Sequence, residues 1–412
     1  AGLMGEVPRS LGLQGRFAKA GRRMTTGEVL RVRIEELTEE IPIIDPSTNE
    51  ESEWRSEVGG ATSALFLAMR LCGLAPWSRD RCLWVSKAYR VFCLFFVALA
   101  ACALLVESIA KHEAMRQETR RCDWAHPCWR QRGLLSEIPL AASLVAALVL
   151  LGVWKSGMAL VGTMLLLESY SLQQGLMEKL LSRRRRETRW VAVLGVCAVA
   201  LTIVGMLLET QGEQLRFEAV MSCGIRLVLF LMLLCLCFCL LYVCSVLGMC
   251  ADAFCCNVVD DLDLGAVVHE WNVLQAILRK SSSTIELAFV ALLCAVIFYL
   301  PLLTVDIFAF SGFRDSLPAL VPGLVACIGI VRLFFLAAAI TDKCTRIPPL
   351  MNSLSFGVGT ERYRQYIVDY ITNSAAGFYV FDVRLSTEML LKFIYIWGVI
   401  AFGLSTQLIS QM

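Results

Sequence analysis

Long apolar runs alternate with charged segments along most of the chain. Seven runs are long enough to cross the roughly 30 Å hydrocarbon layer of a bilayer, which takes about 20 helical residues. We place these runs at residues 85–106, 138–154, 190–208, 225–250, 285–310, 320–340 and 388–409. The pattern therefore predicts an all-α polytopic membrane protein with seven transmembrane helices.

The polar segments divide the rest of the chain. Residues 1–57 are rich in charge and lack a continuous apolar run, so we expect a mobile cytosolic tail. A membrane-proximal helix and turn are predicted for 58–84. The transmembrane domain then occupies 85–412, and it includes two cytosolic anchor segments at 251–284 and 341–387.

Lysine and arginine in the connecting segments predict the orientation of the chain. Segments 155–189 and 341–387, on the side of the N-terminus, carry seven and five of these residues. Segment 107–137, on the other side, carries six and opposes the assignment. The sum favours a cytosolic N-terminus and, with seven spans, an extracellular C-terminus. The four arginines at 183–186 are either a solvated run beside anionic headgroups or a specific lipid site.

Composition agrees with a membrane protein. Hydrophobic residues make up 57% of the 412 positions, above the roughly 45–50% of soluble chains. The net charge of +2 gives no reason to expect nucleic acid as a partner. The three histidines lie outside the predicted spans, and hydrolase and phosphate-binding motifs are absent. We therefore predict neither an enzyme nor a bound cofactor.

The cysteines suggest one local disulfide bond and no metal site. Most of the 18 lie inside apolar runs, where a free cysteine behaves as a small hydrophobic residue. Cys122 and Cys128, in the first outer loop, are candidates for a disulfide. Cys235, Cys237 and Cys239 resemble a metal box, but residues two apart on a helix point to opposite sides, so apolar packing is favoured.

Two short segments resemble a known family. Residues 64–77 read ALFLAMRLCGLAPW and include Gly73, Leu74, Pro76 and Trp77. They resemble the stretch before the first span of insect gustatory and odorant receptors. Residues 376–386 read AGFYVFDVRLS and resemble the approach to the last span of the same receptors.

The resemblance implies a function and an assembly. Two further segments, around Trp271 and at 347–354, resemble the cytosolic anchors of the family more loosely. The last span departs from the gustatory pattern, since Tyr395 follows isoleucine rather than threonine. We therefore interpret the chain as resembling a distant gustatory-receptor-like member. Similarity to these receptors implies a plasma-membrane, homotetrameric, ligand-gated cation channel whose last helix lines the pore. A small-molecule ligand, permeating cations and lipids would be its partners; a transporter and a non-conducting receptor or scaffold remain the alternatives.

A stripe of residues at helical spacing marks the last span. Its members are Phe393, Trp397, Ile400, Leu404 and Gln407. Such a stripe is typical of a packing seam within a helical bundle. It is equally the pattern of a pore face, with apolar rings at Ile400 and Leu404 as the gate and Gln407 at the outer mouth. Both interpretations stay open.

Charged residues inside the predicted spans are candidate functional groups because they are costly in hydrocarbon. Arg226 and Asp306 lie at matching depth and are predicted to form a structural pair. Arg332 has no carboxylate at its depth in another predicted span, so it must find carbonyls, Tyr299, water or an anionic ligand. With Pro301 expected to kink or unwind the helix nearby, Tyr299 and Arg332 are the predicted ligand pocket.

Overall fold

The computed structural model describes residues 67–74, 83–118, 136–154, 159–209, 217–260, 264–309, 313–353 and 361–411. Within these ranges a short helix ends at Leu71 before a turn, and the remaining structure is almost entirely helical. The helices are α1 (Leu83–Glu118), α2 (Glu137–Val149), α3 (Ala159–Gln173), α4 (Met177–Glu209), α5 (Phe217–Asp260), α6 (Leu264–Ala309), α7 (Phe313–Ser353), α8 (Glu361–Ser374) and α9 (Thr387–Gln411). A π-helical turn, Leu150–Trp154, extends α2, and strands β1 (Tyr379–Val380) and β2 (Val383–Arg384) precede α9.

Among the described residues, five helices are long and apolar enough to cross a membrane. The candidate spans are Ala88–Ala110, Met177–Val204, Val220–Val259, Gly265–Thr304 and Pro322–Ser353. They overlap the first, third, fourth, fifth and sixth predicted spans, although several begin or end well outside the predicted bounds. The second prediction corresponds to the shorter apolar segment Glu137–Val153, and the seventh to α9. The helical membrane architecture is thus confirmed, while the number of spans and the sides of the termini stay predictions.

Helix α5 forms the centre of the bundle. Every residue from Leu236 to Ala251 is buried, and the helix packs against α7, α4 and α1. Lipid tails are as apolar as leucine, so dispersion contacts between closely fitted side chains, rather than removal from water, must stabilise this centre in a bilayer. Helix α2 packs mainly against α6 on the other side of the bundle.

Two of the segments that connect predicted spans are largely helical. The segment 251–284 consists of the end of α5 and the start of α6, which are separated by only residues 261–263. The segment 155–189 contains α3 and the first turns of α4. Pro301 was predicted to kink or unwind the helix nearby; α6 continues through that residue, so the helix is not unwound there, and the kink stays a prediction. A membrane helix tolerates an internal proline where its surroundings satisfy the freed backbone groups.

The charged half of α6 is joined to α8. The indole Nε1 of Trp271 donates a hydrogen bond of 2.6 Å to the hydroxyl of Ser374. Gln275 Nε2 donates to the Ser374 carbonyl at 2.8 Å, and Tyr370 donates to Asn272 Oδ1 at 2.7 Å. These bonds hold the end of α8, and therefore the chain that leads to α9, against a buried part of the bundle.

Candidate functional site: the last helix and the polar clusters of the bundle

A tight hairpin positions the start of α9. The two residues between β1 and β2, Phe381 and Asp382, have φ angles of +48° and +62°, as a two-residue hairpin of the primed type requires. Upstream, the backbone N–H of Phe378 donates to Thr341 Oγ1 of α7 at 2.9 Å. A Cβ at Gly377 would lie 3.0 Å from that same oxygen, so glycine allows this close approach.

The first turn of α9 is capped and tied to α7. Ser386 acts as the N-cap, since its hydroxyl accepts a hydrogen bond of 3.3 Å from the backbone of Met389. The backbone N–H of Thr387 donates to Asp342 Oδ1 at 3.4 Å. Leu390 is buried against the bundle. The beginning of α9 is therefore firmly held.

Beyond that first turn, α9 is covered along one narrow seam only. From residue 391 onward every described side chain is exposed except Trp397 and Ala401. Together with Leu390 these two define the seam toward α6 and α7, the helices that α9 contacts. Trp397 Nε1 is buried and makes no hydrogen bond within the described part of the chain.

The predicted stripe lies beside this seam. Trp397 belongs to both, while Phe393 and Gln407 are exposed and Ile400 keeps 45% of its surface exposed. The side chain of Leu404 lies outside the described residues. At 100° per residue the centre of the stripe is turned by about 60–70° from the seam. The side of α9 that faces away from the bundle holds Tyr395, Val399 and Phe402, which are strongly exposed.

Arg332 has an ionic partner, which corrects the expectation that none exists. Its Nη2 donates to both carboxylate oxygens of Glu187, at 2.8 and 2.7 Å. Glu187 belongs to α4 and is only 3% exposed at its side chain, against 40% for Arg332. Glu187 was predicted to lie in a loop because it precedes the apolar run. Helix α4, however, begins at Met177, ten residues before Glu187.

Tyr299, the other residue of the predicted ligand pocket, is buried in the bundle. Its ring lies against α7 at Gly323, where an added Cβ would come within 3 Å of three ring and hydroxyl atoms. Glycine at this position makes room for the aromatic ring. Gly323 and Arg332 are nine residues apart on α7, about 13 Å along the axis and on opposite faces of the helix. The structure therefore does not bring the side chains of Tyr299 and Arg332 together.

Arg226 lies between two carboxylates that the sequence analysis did not identify. Its Nε is 3.2 Å from Glu137 Oε2 and its Nη2 is 3.6 Å from Glu107 Oε1. Ser222 donates to the Glu107 carboxylate at 2.8 Å. Arg226 thus joins α5 to α1 and α2. The side chain of its predicted partner, Asp306, lies outside the described residues.

A third polar cluster lies between α3, α4 and α5. Tyr242 donates to Glu168 Oε1 at 3.2 Å, and Arg184 Nη1 lies 3.8 Å from the same oxygen. The guanidinium of Arg184 also lies 5.5 Å from the centre of the Tyr242 ring. Burial raises the pKa of the Glu168 carboxyl, and the nearby Arg184 and the hydrogen bond from Tyr242 oppose that rise. The middle of the basic run therefore points into the bundle.

The segment that precedes the first span ends as the motif predicts. Leu74 is buried, Gly73 has φ of +69°, and the N–H groups of Gly73 and Leu74 donate to the carbonyls of Arg70 and Met69. This is a helix C-terminus closed by glycine. Arg90 of α1 donates to the Gly73 carbonyl at 3.1 Å. Pro76 and Trp77 lie outside the described residues.

The cysteines add no ligand cluster in the described ranges. Cys237 and Cys239 are buried and Cys235 is half-buried, and no group of three or more His, Cys, Asp or Glu residues in the described part of the chain is placed to hold a metal ion. Cys122 and Cys128, the predicted disulfide, lie outside these ranges.

Comparison with known proteins gives distant structural likenesses and no match at the level of sequence families. No family model matches the sequence, and no curated protein matches it. Among solved structures, the chain is similar to the insect olfactory receptor OR5 from Machilis hrabei, with 11% identity and a TM-score of 0.47. The match covers 84% of this chain and 98% of that chain. Neither family membership nor function follows from a similarity at this level.

Proposed function

We propose that this protein is a chemoreceptor-type, ligand-gated cation channel that assembles as a homotetramer around α9. The observation that carries the proposal is the surface of α9, an apolar helix of 25 residues that is held at one end and covered along one seam. The resemblance of residues 64–77 and 376–386 to insect gustatory and odorant receptors supports the same assignment.

A ring of four subunits gives each face of α9 a role. The seam of Leu390, Trp397 and Ala401 packs on the subunit's own α6 and α7. The neighbouring stripe turns toward the pore, where Ile400 and Leu404 form apolar rings that close by dewetting. Gln407 then lies near the outer mouth, and Phe393 near the inner end. Lipid and the adjacent subunit cover the side that holds Tyr395.

In this proposal the ligand binds beside Arg332 of α7, which keeps 40% of its side chain exposed while it pairs with Glu187. Tyr299 lies against the opposite face of α7, at Gly323, and is left out of the proposed pocket. An anionic or hydrogen-bonding ligand that competes with Glu187 for Arg332 would loosen the contact between α4 and α7. Loss of response in Arg332→Leu at a normal surface level would support this pocket, and an unchanged response would remove Arg332 from it.

Particle symmetry tests the assembly directly. The purified protein, imaged by electron microscopy in a mild detergent, should form rings with fourfold symmetry. A particle that stays monomeric at all concentrations would contradict the channel proposal and favour a transporter. A tag after Met412 should also be reachable from outside intact cells, whereas a tag before Ala1 should not.

Leak current tests the pore face. Ile400→Ser should lower the barrier to water and ions and give current without ligand in cells that express the protein. The matched control is Val399→Ser, the adjacent position on the side turned away from the bundle, with 56% exposure against 45% for Ile400. Leak from Val399→Ser alone would assign the pore to the opposite face, and leak from neither variant would leave the stripe as a packing seam.

A further inference from the structure

Three cations of the charged end of α4 line one wall of a cavity outside the site described above. The cavity has a volume of about 680 Å³ and is bounded by the turn between α3 and α4, the first turns of α4 and the end of α5. Lys179, Arg183 and Arg186 line it. This volume falls within the roughly 300–1,000 Å³ of small-molecule sites.

These cations have no counter-ion within the described residues. Arg183 is half-buried, and its Nε is buried without a hydrogen-bond partner. Lys179 and Arg186 also make no hydrogen bond or ion pair with another described side chain. Arg184, between them in sequence, points inward to Glu168. The run is therefore divided between one arginine that stabilises the bundle and cations that face a cavity.

Asp252, the one acidic residue among those that line the cavity, is already paired with a lysine of α7. Asp252 Oδ2 lies 2.6 Å from Lys343 Nζ, which also donates to the carbonyl of Gly248 at 3.0 Å. The turn that closes the cavity is also fixed, because Asn257 Nδ2 donates to Gln174 Oε1 at 2.6 Å and to Glu270 Oε1 at 2.8 Å. The wall is thus a preformed surface with a net positive charge.

The cavity lies at the level where lipid headgroups would be. The apolar part of α4 begins at Trp190, and Arg186 precedes it by about one turn of helix. Trp190, Val193 and Val196 are exposed on the apolar part, as side chains that face lipid would be. A headgroup beside α4 can therefore reach Arg183 and Arg186 without leaving the membrane surface.

We propose that this cavity binds a phosphorylated, multiply charged headgroup, the chemistry shared by phosphoinositide lipids and free inositol phosphates. Two arginines and a lysine suit phosphate oxygens, since guanidinium groups form paired, charge-assisted hydrogen bonds with them. The proposal is independent of ion conduction, because it concerns binding alone.

Binding to the full-length protein in phosphatidylcholine nanodiscs tests the site. The probes are short-chain phosphatidylinositol bisphosphate, free inositol trisphosphate and short-chain phosphatidylglycerol, and the measurement is microscale thermophoresis. The bisphosphate lipid should bind more tightly than phosphatidylglycerol. If free inositol trisphosphate binds equally well, the ligand is a soluble phosphate; if the lipid binds more tightly, it is a membrane headgroup.

Matched variants separate the cavity from general surface charge. Arg183→Gln/Arg186→Gln should weaken binding of the bisphosphate lipid by roughly tenfold per arginine, the scale of a hydrogen bond to a charged group. Arg185→Gln/Arg189→Gln removes the same charge from exposed positions of the same helix that do not line the cavity, and should change affinity by less than about threefold.

Three results would overturn the proposed site. Equal losses in both double variants would mean diffuse attraction and would overturn the site, as would a wild-type protein that does not distinguish the bisphosphate lipid from phosphatidylglycerol. If the cavity double variant does not assemble, Lys179→Gln replaces it, because Lys179 is exposed on the first turn of α4. That variant should still weaken binding about tenfold, and unchanged binding would overturn the proposal.

Discussion

The centre of α5 and the length of α9 were both predicted from the sequence as membrane spans, yet they are opposite in structure. All residues from Leu236 to Ala251 are buried by neighbouring helices. Beyond the first turn of α9, by contrast, the described side chains are exposed except for Trp397 and Ala401, which are half-buried. An apolar run of about 20 residues predicts a membrane helix, but it does not say how much of that helix other helices cover. The difference separates a helix that holds the protomer together from one whose remaining faces are available to lipid or to other subunits.

Truncation of one side chain in each helix should give the largest contrast. Leu240→Ala, at a fully buried position of α5, leaves a cavity and should lower the free energy of unfolding by roughly 2–5 kcal/mol. Ile396→Ala, at an exposed position of α9, should change it by less than about 0.5 kcal/mol in the protomer. Titration of mixed micelles with sodium dodecyl sulfate measures both.

The assembled particle provides the second half of that experiment. If α9 packs against other subunits, Ile396→Ala should shift the particle toward protomers in gel filtration, while the protomer keeps its stability. Equal losses of protomer stability from Leu240→Ala and Ile396→Ala would contradict the contrast between the two helices.

The ion pair of the bundle should give a smaller and asymmetric effect. Arg332→Leu strands the buried Glu187 carboxylate and should cost about 1–3 kcal/mol of unfolding free energy. Glu187→Gln should cost less, because an amide oxygen still accepts a hydrogen bond and Arg332 keeps 40% of its surface exposed. The same detergent titration ranks the two variants. The reverse order would mean that Arg332, not Glu187, is the group that burial penalises.

This pair also shows how far sequence reasoning reaches. The apolar runs predicted the positions of the helices, because length and hydropathy suffice for that step. They did not predict where the helices end: α5 has 44 residues, about 66 Å at 1.5 Å per residue, twice the thickness of the hydrocarbon layer. Helix α4 likewise begins at Met177, before its apolar run. Because that start was not predicted, Glu187 was assigned to a loop and Arg332 was left without a carboxylate.

The candidate pore face shows a second limit. The spacing of Phe393, Ile400 and Gln407 was visible in the sequence, yet apolar residues occur on every face of α9, so a seam and a pore face have similar patterns. Only the contacts with α6 and α7 identify the seam at Trp397 and Ala401. Burial of Arg184 was equally hidden, because four consecutive arginines reveal nothing about which of them faces inward.

The stability of the bundle should depend on pH through the buried Glu168. Burial raises the pKa of its carboxyl above the ordinary value, so the folded protein binds this proton more tightly than the unfolded chain does. The contribution to stability is then complete below the unfolded pKa and is lost as the pH rises through the raised, folded pKa. The wild type should gain stability relative to Glu168→Gln on acidification across that window. A stability difference between the two proteins that is independent of pH, measured by thermal unfolding, would contradict the assignment.

The smallest effect is expected from the ion pair on α9. Lys392 Nζ lies 2.6 Å from Glu388 Oε1, and both side chains are at least 70% exposed. An exposed pair gains little, because water and salt screen it and two long side chains lose freedom when they form it. Lys392→Gln should therefore leave the midpoint of thermal unfolding of the protomer unchanged at low and high salt, unlike Arg332→Leu in the bundle. A salt-dependent loss of stability in Lys392→Gln would mean that this turn of α9 is held by its charges. The helix would then be fixed by more than its hairpin, its cap and the narrow seam, and its outer faces would be less free to take part in assembly.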